Sequence, residues 1–92
     1  MRLDLFLKTS RLVLRRSVAR QLCDAGAIKV NSVVAKASKE LKAGDEVEIK
    51  RGPRHTIFRI VSVPISKQVS KADATSLVEV ISDVKEQETL LP

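Results

Sequence analysis

The sequence predicts an α+β fold in which two short N-terminal helices pack on a small, mostly antiparallel sheet. Three observations carry this. Apolar residues recur at helical spacing over residues 3–22, and the period changes to two from Ile28 onward. The chain has 92 residues, 43% of them hydrophobic and 30% charged, which suits one ordinary globular domain. A chain of this length buries only about 60–65% of the surface its unfolded form exposes, so its core is modest.

Leu3, Phe6 and Leu7 put one apolar stripe on the first helix, and Asp4 lies in its first turn, where negative charge suits the helix dipole. A break follows at Thr9-Ser10, then the mixed segment Arg11-Leu12-Val13-Leu14. Ser17 is the expected N-cap of a second helix over residues 18–25, ended by Gly26. On it Val18 and Leu22 share one side, with Ala19 and Cys23 beside them. Residues 28–30 and 33–35 read as short strands around Asn31-Ser32, a two-residue hairpin loop in which Asn tolerates positive φ.

A polar stretch over 36–42 leads to the turn Ala43-Gly44-Asp45, after which Val47 and Ile49 alternate with Glu46, Glu48 and Lys50. Arg51-Gly52-Pro53-Arg54 is a second turn, and residues 55–63 a longer strand stopped by Pro64. Ser70-Lys71-Ala72-Asp73 has the form of a capping box and opens one helical turn. Residues 77–81 are rich in β-branched side chains and read as a strand, although Leu77, Val80, Ile81 and Val84 also fit a helical stripe. Residues 85–92 read as a frayed tail. The expected organisation is one domain over 1–64 with a C-terminal extension over 65–92.

Composition removes most enzymes. Cys23 is the only cysteine, so no internal disulfide forms, and with His55 the only histidine the usual four-ligand zinc site is excluded. Three glycines make no phosphate loop, and Asp45 and Glu46, at a turn, lack a partner acid, base or metal ligand. The expectation is no catalysis, no metal and no cofactor. Apolar runs are too short to span a bilayer and the N-terminus is charged too soon for a signal peptide, so a cytoplasmic protein without a membrane partner is expected.

What remains is charge. Seventeen Lys and Arg face eleven Asp and Glu, a net +6. Residues 1–59 hold fourteen basic and six acidic residues, a net +8, while residues 60–92 hold three and five, a net −2. The densest part is the first twenty residues, with Arg2, Lys8, Arg11, Arg15, Arg16 and Arg20 against Asp4 alone. Arginine presents a planar fork that grips phosphate through paired hydrogen bonds, whereas lysine is a hydrated point charge. Helical geometry would gather Arg11 with Arg15 and Arg16 with Arg20, four residues apart. Arg2 is within reach of Asp4, and Arg20 is expected to pair with Asp24.

Phe6 and Phe58 are the only aromatic residues, and both sit among core positions. Without Trp or Tyr the chain lacks the stacking platform that single-strand readers use. Recognition then runs through phosphates, riboses and the shape of a structured RNA. The alternative is a DNA regulator using the helix pair over 3–25 as a helix-turn-helix. Against it, the second helix offers only Gln21 to address base edges.

The ordered series Arg2-Leu3-Asp4, Phe6-Leu7-Lys8, Ser10-Arg11-Leu12-Val13 and Arg15-Arg16 resembles the opening of an S4 RNA-binding domain. Ala19, Gly26, the hairpin 28–31, Ala35-Lys36-Ala37-Ser38 and Lys42-Ala43-Gly44-Asp45 continue the resemblance, which covers about residues 1–52. It implies the alpha-L motif of that fold. The length resembles the small stand-alone bacterial members, the RqcP type of ribosome quality control and the ribosome-associated heat-shock protein of fifteen kilodaltons. That likeness implies partners in 23S rRNA, tRNA and the large ribosomal subunit stalled with peptidyl-tRNA; the chain itself is expected to be a monomer. By position the RNA-contacting surface carries over to Arg2, Lys8, Arg11, Arg15, Arg16, Asn31, Lys36 and Lys39. Asn31 suits a turn former equally well, and Lys36 and Lys39 suit plain surface. Leu5, Leu14 and Ser32 depart from the family's pattern, the first two where a basic residue is common and the third where Gly is usual.

Overall fold

The computed structural model describes residues 1–64 and 69–85. Helices α1 (Leu3–Thr9) and α2 (Arg16–Asp24) come first. They are followed by strands β1 (Ile28–Val30), β2 (Val33–Val34), β3 (Glu46–Arg51) and β4 (Arg54–Ile60). A short helix α3 (Lys71–Thr75) leads into strand β5 (Val78–Lys85). The strands form one sheet in the order β2-β1-β3-β4-β5, with every neighbouring pair antiparallel. The α+β class and the helix-then-sheet order are those the periodicities predict.

The stripe on α1 is the centre of the core: Leu3, Phe6 and Leu7 are fully buried, with Val13, Ala19 and Cys23 beside them. From the sheet they meet Ile28, Val30, Val47, Ile49, Phe58 and Ile60. In β3 and β4 these are alternate residues, and the register places Val47 opposite Phe58 and Ile49 opposite Thr56 on one face. Leu77, between α3 and β5, joins the same core, and Ala74 of α3 is also buried.

Two predicted boundaries are corrected. α2 begins at Arg16, with Arg15 as an N-cap that makes no side-chain capping bond, so Ser17 lies inside the first turn rather than capping it. The C-terminus follows the prediction: Gly26 has φ +74, its N–H bonds Cys23 O at 3.0 Å, and the Ala27 N–H bonds Leu22 O at 2.9 Å. That is the paired closure for which glycine is favoured. β4 ends at Ile60 and does not reach residue 63, because the N–H groups of Val61 and Ser62 both turn to Leu77 O. Ser70 caps α3 as expected, its Oγ accepting from the Asp73 N–H at 3.1 Å. The strand over 77–81 is also borne out, starting at Val78 and running to Lys85 with an irregularity opposite Ile57 and Phe58. The remainder of the tail, residues 86–92, lies outside the described residues.

The hairpin loop has positive φ at both Asn31 (+51) and Ser32 (+71), as a primed turn requires. Serine therefore holds the conformation that usually goes to glycine. Leu14 stands 78% exposed, so the departure at that position leaves an apolar side chain on the surface.

Candidate nucleic-acid interface

Asp4 is fully buried at the start of α1, and three arginines converge on it. Arg2 Nε donates to Oδ1 at 3.3 Å and Arg16 Nε donates to Oδ2 at 3.1 Å. Arg20 Nε lies 4.0 Å from Oδ2, and the Leu5 N–H donates to Oδ1 at 2.8 Å. The packing of α2 on α1 brings this about, since Arg16 is the first residue of α2 and Arg20 follows one turn later. Arg20 thus turns to Asp4, sixteen residues away, and the expected pairing with Asp24 does not form.

Burial alone would raise the Asp4 carboxyl pKa. The Arg16 hydrogen bond, the Leu5 N–H and the charges of Arg16 and Arg2 outweigh that and hold it below the usual carboxylate value. The acid is therefore ionised, and three cations on one anion leave a surplus of positive charge at the surface. The side chains of Arg2, Arg16 and Arg20 remain 44%, 42% and 62% exposed. Arg2 and Arg16 each spend Nε on Asp4, which leaves their Nη nitrogens without a protein hydrogen bond among the described residues. A guanidinium held by one edge with its other edge exposed is pre-organised for phosphate.

The segment 36–41 crosses the start of α1 and supplies acceptors that no side chain provides there. The Leu3 N–H bonds Lys39 O at 2.8 Å and the Asp4 N–H bonds Ala37 O at 3.1 Å. Lys39 is thereby anchored next to Arg2. Lys36 and Lys39 also line an open groove of about 500 Å³ with Asn31, Val33 and Val34. Asn31 spends its carboxamide on the scaffold: Nδ2 donates to Asp45 Oδ1 at 3.1 Å, and Oδ1 accepts from the Glu46 N–H at 3.0 Å. This ties the hairpin loop to the start of β3.

Lys8 and Arg15 are exposed at the end of α1 and the start of α2. Arg11 sits apart. It adopts φ +62 just after the end of α1 and lines a cleft of about 270 Å³ with Arg51 and Arg54 from the β3–β4 turn. The structure thus gathers Arg2, Arg16 and Lys39 near Asp4, sets Asn31 and Lys36 along the adjoining groove, and places Arg11 in the cleft. Arg20, Arg51 and Arg54 are basic neighbours that sequence reasoning passed over. For Arg20 the misleading signal was a nearer acid, Asp24. Cys23 is buried, and its thiol is pushed up to about 11 by burial first and then by the charges of Asp4 and Asp24. It is a core residue, as expected. Among the described residues no His, Cys, Asp and Glu cluster is placed to hold a metal, and no helix is long and apolar enough to cross a membrane.

The sequence pattern of the S4 domain matches residues 1–47. The RQC P-site tRNA stabilizing factor of Streptococcus pneumoniae is 40% identical over 90 residues, spanning 98% of this chain and 100% of that protein. The protein of the same name from Halalkalibacterium halodurans is 45% identical over 80 residues, spanning 87% and 89%. Among solved structures, the trimeric Heat Shock Protein 15 of Vibrio cholerae superposes with a TM-score of 0.78 at 28% identity, covering 89% of this chain and 82% of that one.

Proposed function

Because the chain belongs to the S4 domain family, among relatives named RQC P-site tRNA stabilizing factor, we propose that it is a non-enzymatic RNA-binding protein of ribosome quality control. It binds structured RNA, namely 23S rRNA and tRNA on large ribosomal subunits stalled with peptidyl-tRNA, and works as a cytoplasmic monomer. The RNA-binding unit is residues 1–64, and its contact residues are Arg2, Lys8, Arg11, Arg15, Arg16, Asn31, Lys36 and Lys39. The observation that carries this reading is the pair Arg2 and Arg16, each held by Nε on the buried Asp4 while its side chain stays more than 40% exposed. Such a grip addresses phosphates and needs no base edge. No observation favours the DNA alternative: Arg16 and Arg20 of α2 both turn to Asp4, leaving Gln21 as its one exposed amide.

Sedimentation of the protein with cell lysate through a sucrose gradient, followed by identification of the co-migrating RNA, tests the proposal. Co-migration with large subunits carrying peptidyl-tRNA is expected, lost as salt rises with a log–log slope of roughly −0.7 to −0.9 per phosphate neutralised. Protein that stays at the top of the gradient at low salt overturns it.

A further inference from the structure

We propose that the cleft between the α1–α2 linker and the β3–β4 turn is a second phosphate-binding site, taking the sugar-phosphate backbone of the same RNA. The inference rests on the RNA-binding reading above, gives Arg11 its setting and extends the contact surface to the β3–β4 turn. Three arginines from separate elements line the cleft: Arg11 from the linker, Arg51 from the end of β3 and Arg54 from the start of β4. Arg51 and Arg54 stand directly opposite each other in the ladder, an arrangement in which like charges repel.

One carboxylate is set against them. Arg54 bonds Asp83 of β5 through Nε at 2.9 Å and Nη2 at 2.6 Å, and Thr56 Oγ1 donates to the same carboxylate at 3.1 Å. Arg11 and Arg51 have no ion-pair partner among the described residues. The cleft therefore carries three cations and one anion, with two positive charges uncompensated. Arg11 also holds φ +62, a conformation that costs a non-glycine residue energy and is kept where the surroundings demand it.

The floor is apolar. Leu12, Ile49, Phe58 and Val80 line the cleft together with the arginines, and Val80 is 58% exposed. Apolar walls lower the local dielectric and strengthen the pull on an anion at the rim. At about 270 Å³ the cleft has the volume of roughly nine waters, enough for a phosphate with its ribose. Charged rim and apolar floor together match a nucleotide unit better than a free inorganic ion.

The test is fluorescence-anisotropy titration of purified tRNA with the full chain over a range of salt, comparing wild type, an Arg11→Gln/Arg51→Gln variant and an Arg2→Gln/Arg16→Gln variant. Both substituted pairs are exposed. Arg11→Gln/Arg51→Gln is expected to weaken binding about tenfold and to make the log–log salt slope shallower by roughly 1.5, two contacts' worth. Asp83→Asn, which removes the competing charge, is expected to bind two- to fivefold more tightly, by the order of a rim-charge effect. Unchanged affinity and slope in the Arg11/Arg51 variant, while the Arg2/Arg16 variant loses binding, overturns the second site, removes Arg11 from the contact residues and leaves the RNA-binding function standing. Wild type that binds neither tRNA nor purified large subunits overturns both. Salt-dependent binding that the variant loses equally for duplex DNA overturns the assignment of the cleft to RNA.

Discussion

The two arginine clusters differ in the depth of the acid that organises them. Asp4 is fully buried and draws Arg2, Arg16 and Arg20 inward by Nε, whereas Asp83 is 37% exposed and holds Arg54 in a bidentate pair, with Thr56 on the same carboxylate. A buried carboxylate must be compensated, so it fixes its cations and joins charge placement to folding. An exposed one contributes little to stability and leaves its neighbours free to respond to a ligand. The lesson is that equal counts of arginine do not make equal sites.

The largest expected effect breaks the first cluster at its centre. Asp4→Ala leaves guanidinium groups around an empty site and is expected to cost about 2–4 kcal/mol, toward the low end of breaking a buried pair because the arginines are half exposed. In a domain of this size that lowers Tm by about 10 °C or more, read by circular dichroism. The matching change in the second cluster, Asp83→Ala, is expected to cost under about 1 kcal/mol. Equal losses from the two variants would erase the distinction.

Acid sharpens the same contrast. Asp4 has a folded pKa below its unfolded one, so its contribution is present above about pH 4, the unfolded value, and is lost as pH falls through the folded value. Wild-type Tm is expected to fall steeply below pH 4, and Asp4→Asn to flatten that limb. A parallel decline in both proteins would show that other carboxylates govern acid unfolding.

A smaller effect concerns single cations. Arg16→Ala is expected to weaken binding to large subunits about tenfold, while Lys36→Ala changes it less than threefold, since a rim lysine carries no bidentate fork. Smallest of all, Cys23 is expected to stay unreactive toward a thiol reagent at pH 8 in the native protein and to react on unfolding. Its pKa of about 11 leaves little thiolate.

Much of this was legible in the sequence because it is periodic or local. The stripe Leu3, Phe6 and Leu7, the primed turn at Asn31-Ser32 and the alternation at Val47 and Ile49 all follow from spacing. The start of α2 was not, because Arg15 caps it without a side-chain bond and Ser17 offered a better-looking cap. Asp4 reads locally as a first-turn acid suited to a dipole, and its partner Arg16 lies twelve residues away through helix packing. The cleft was invisible for the same reason, since Asp83 reaches Arg54 only across the β4–β5 pairing. Basic residues were legible by type; which acid holds each of them is a tertiary fact.

The most direct test of the account is a double-mutant cycle on affinity for purified large ribosomal subunits. If Asp4 serves binding by holding Arg2 and Arg16, Asp4→Asn weakens binding about tenfold in the wild-type background and adds almost nothing to Arg2→Ala/Arg16→Ala. An equal loss in both backgrounds would contradict the claim that the buried acid works through those two arginines.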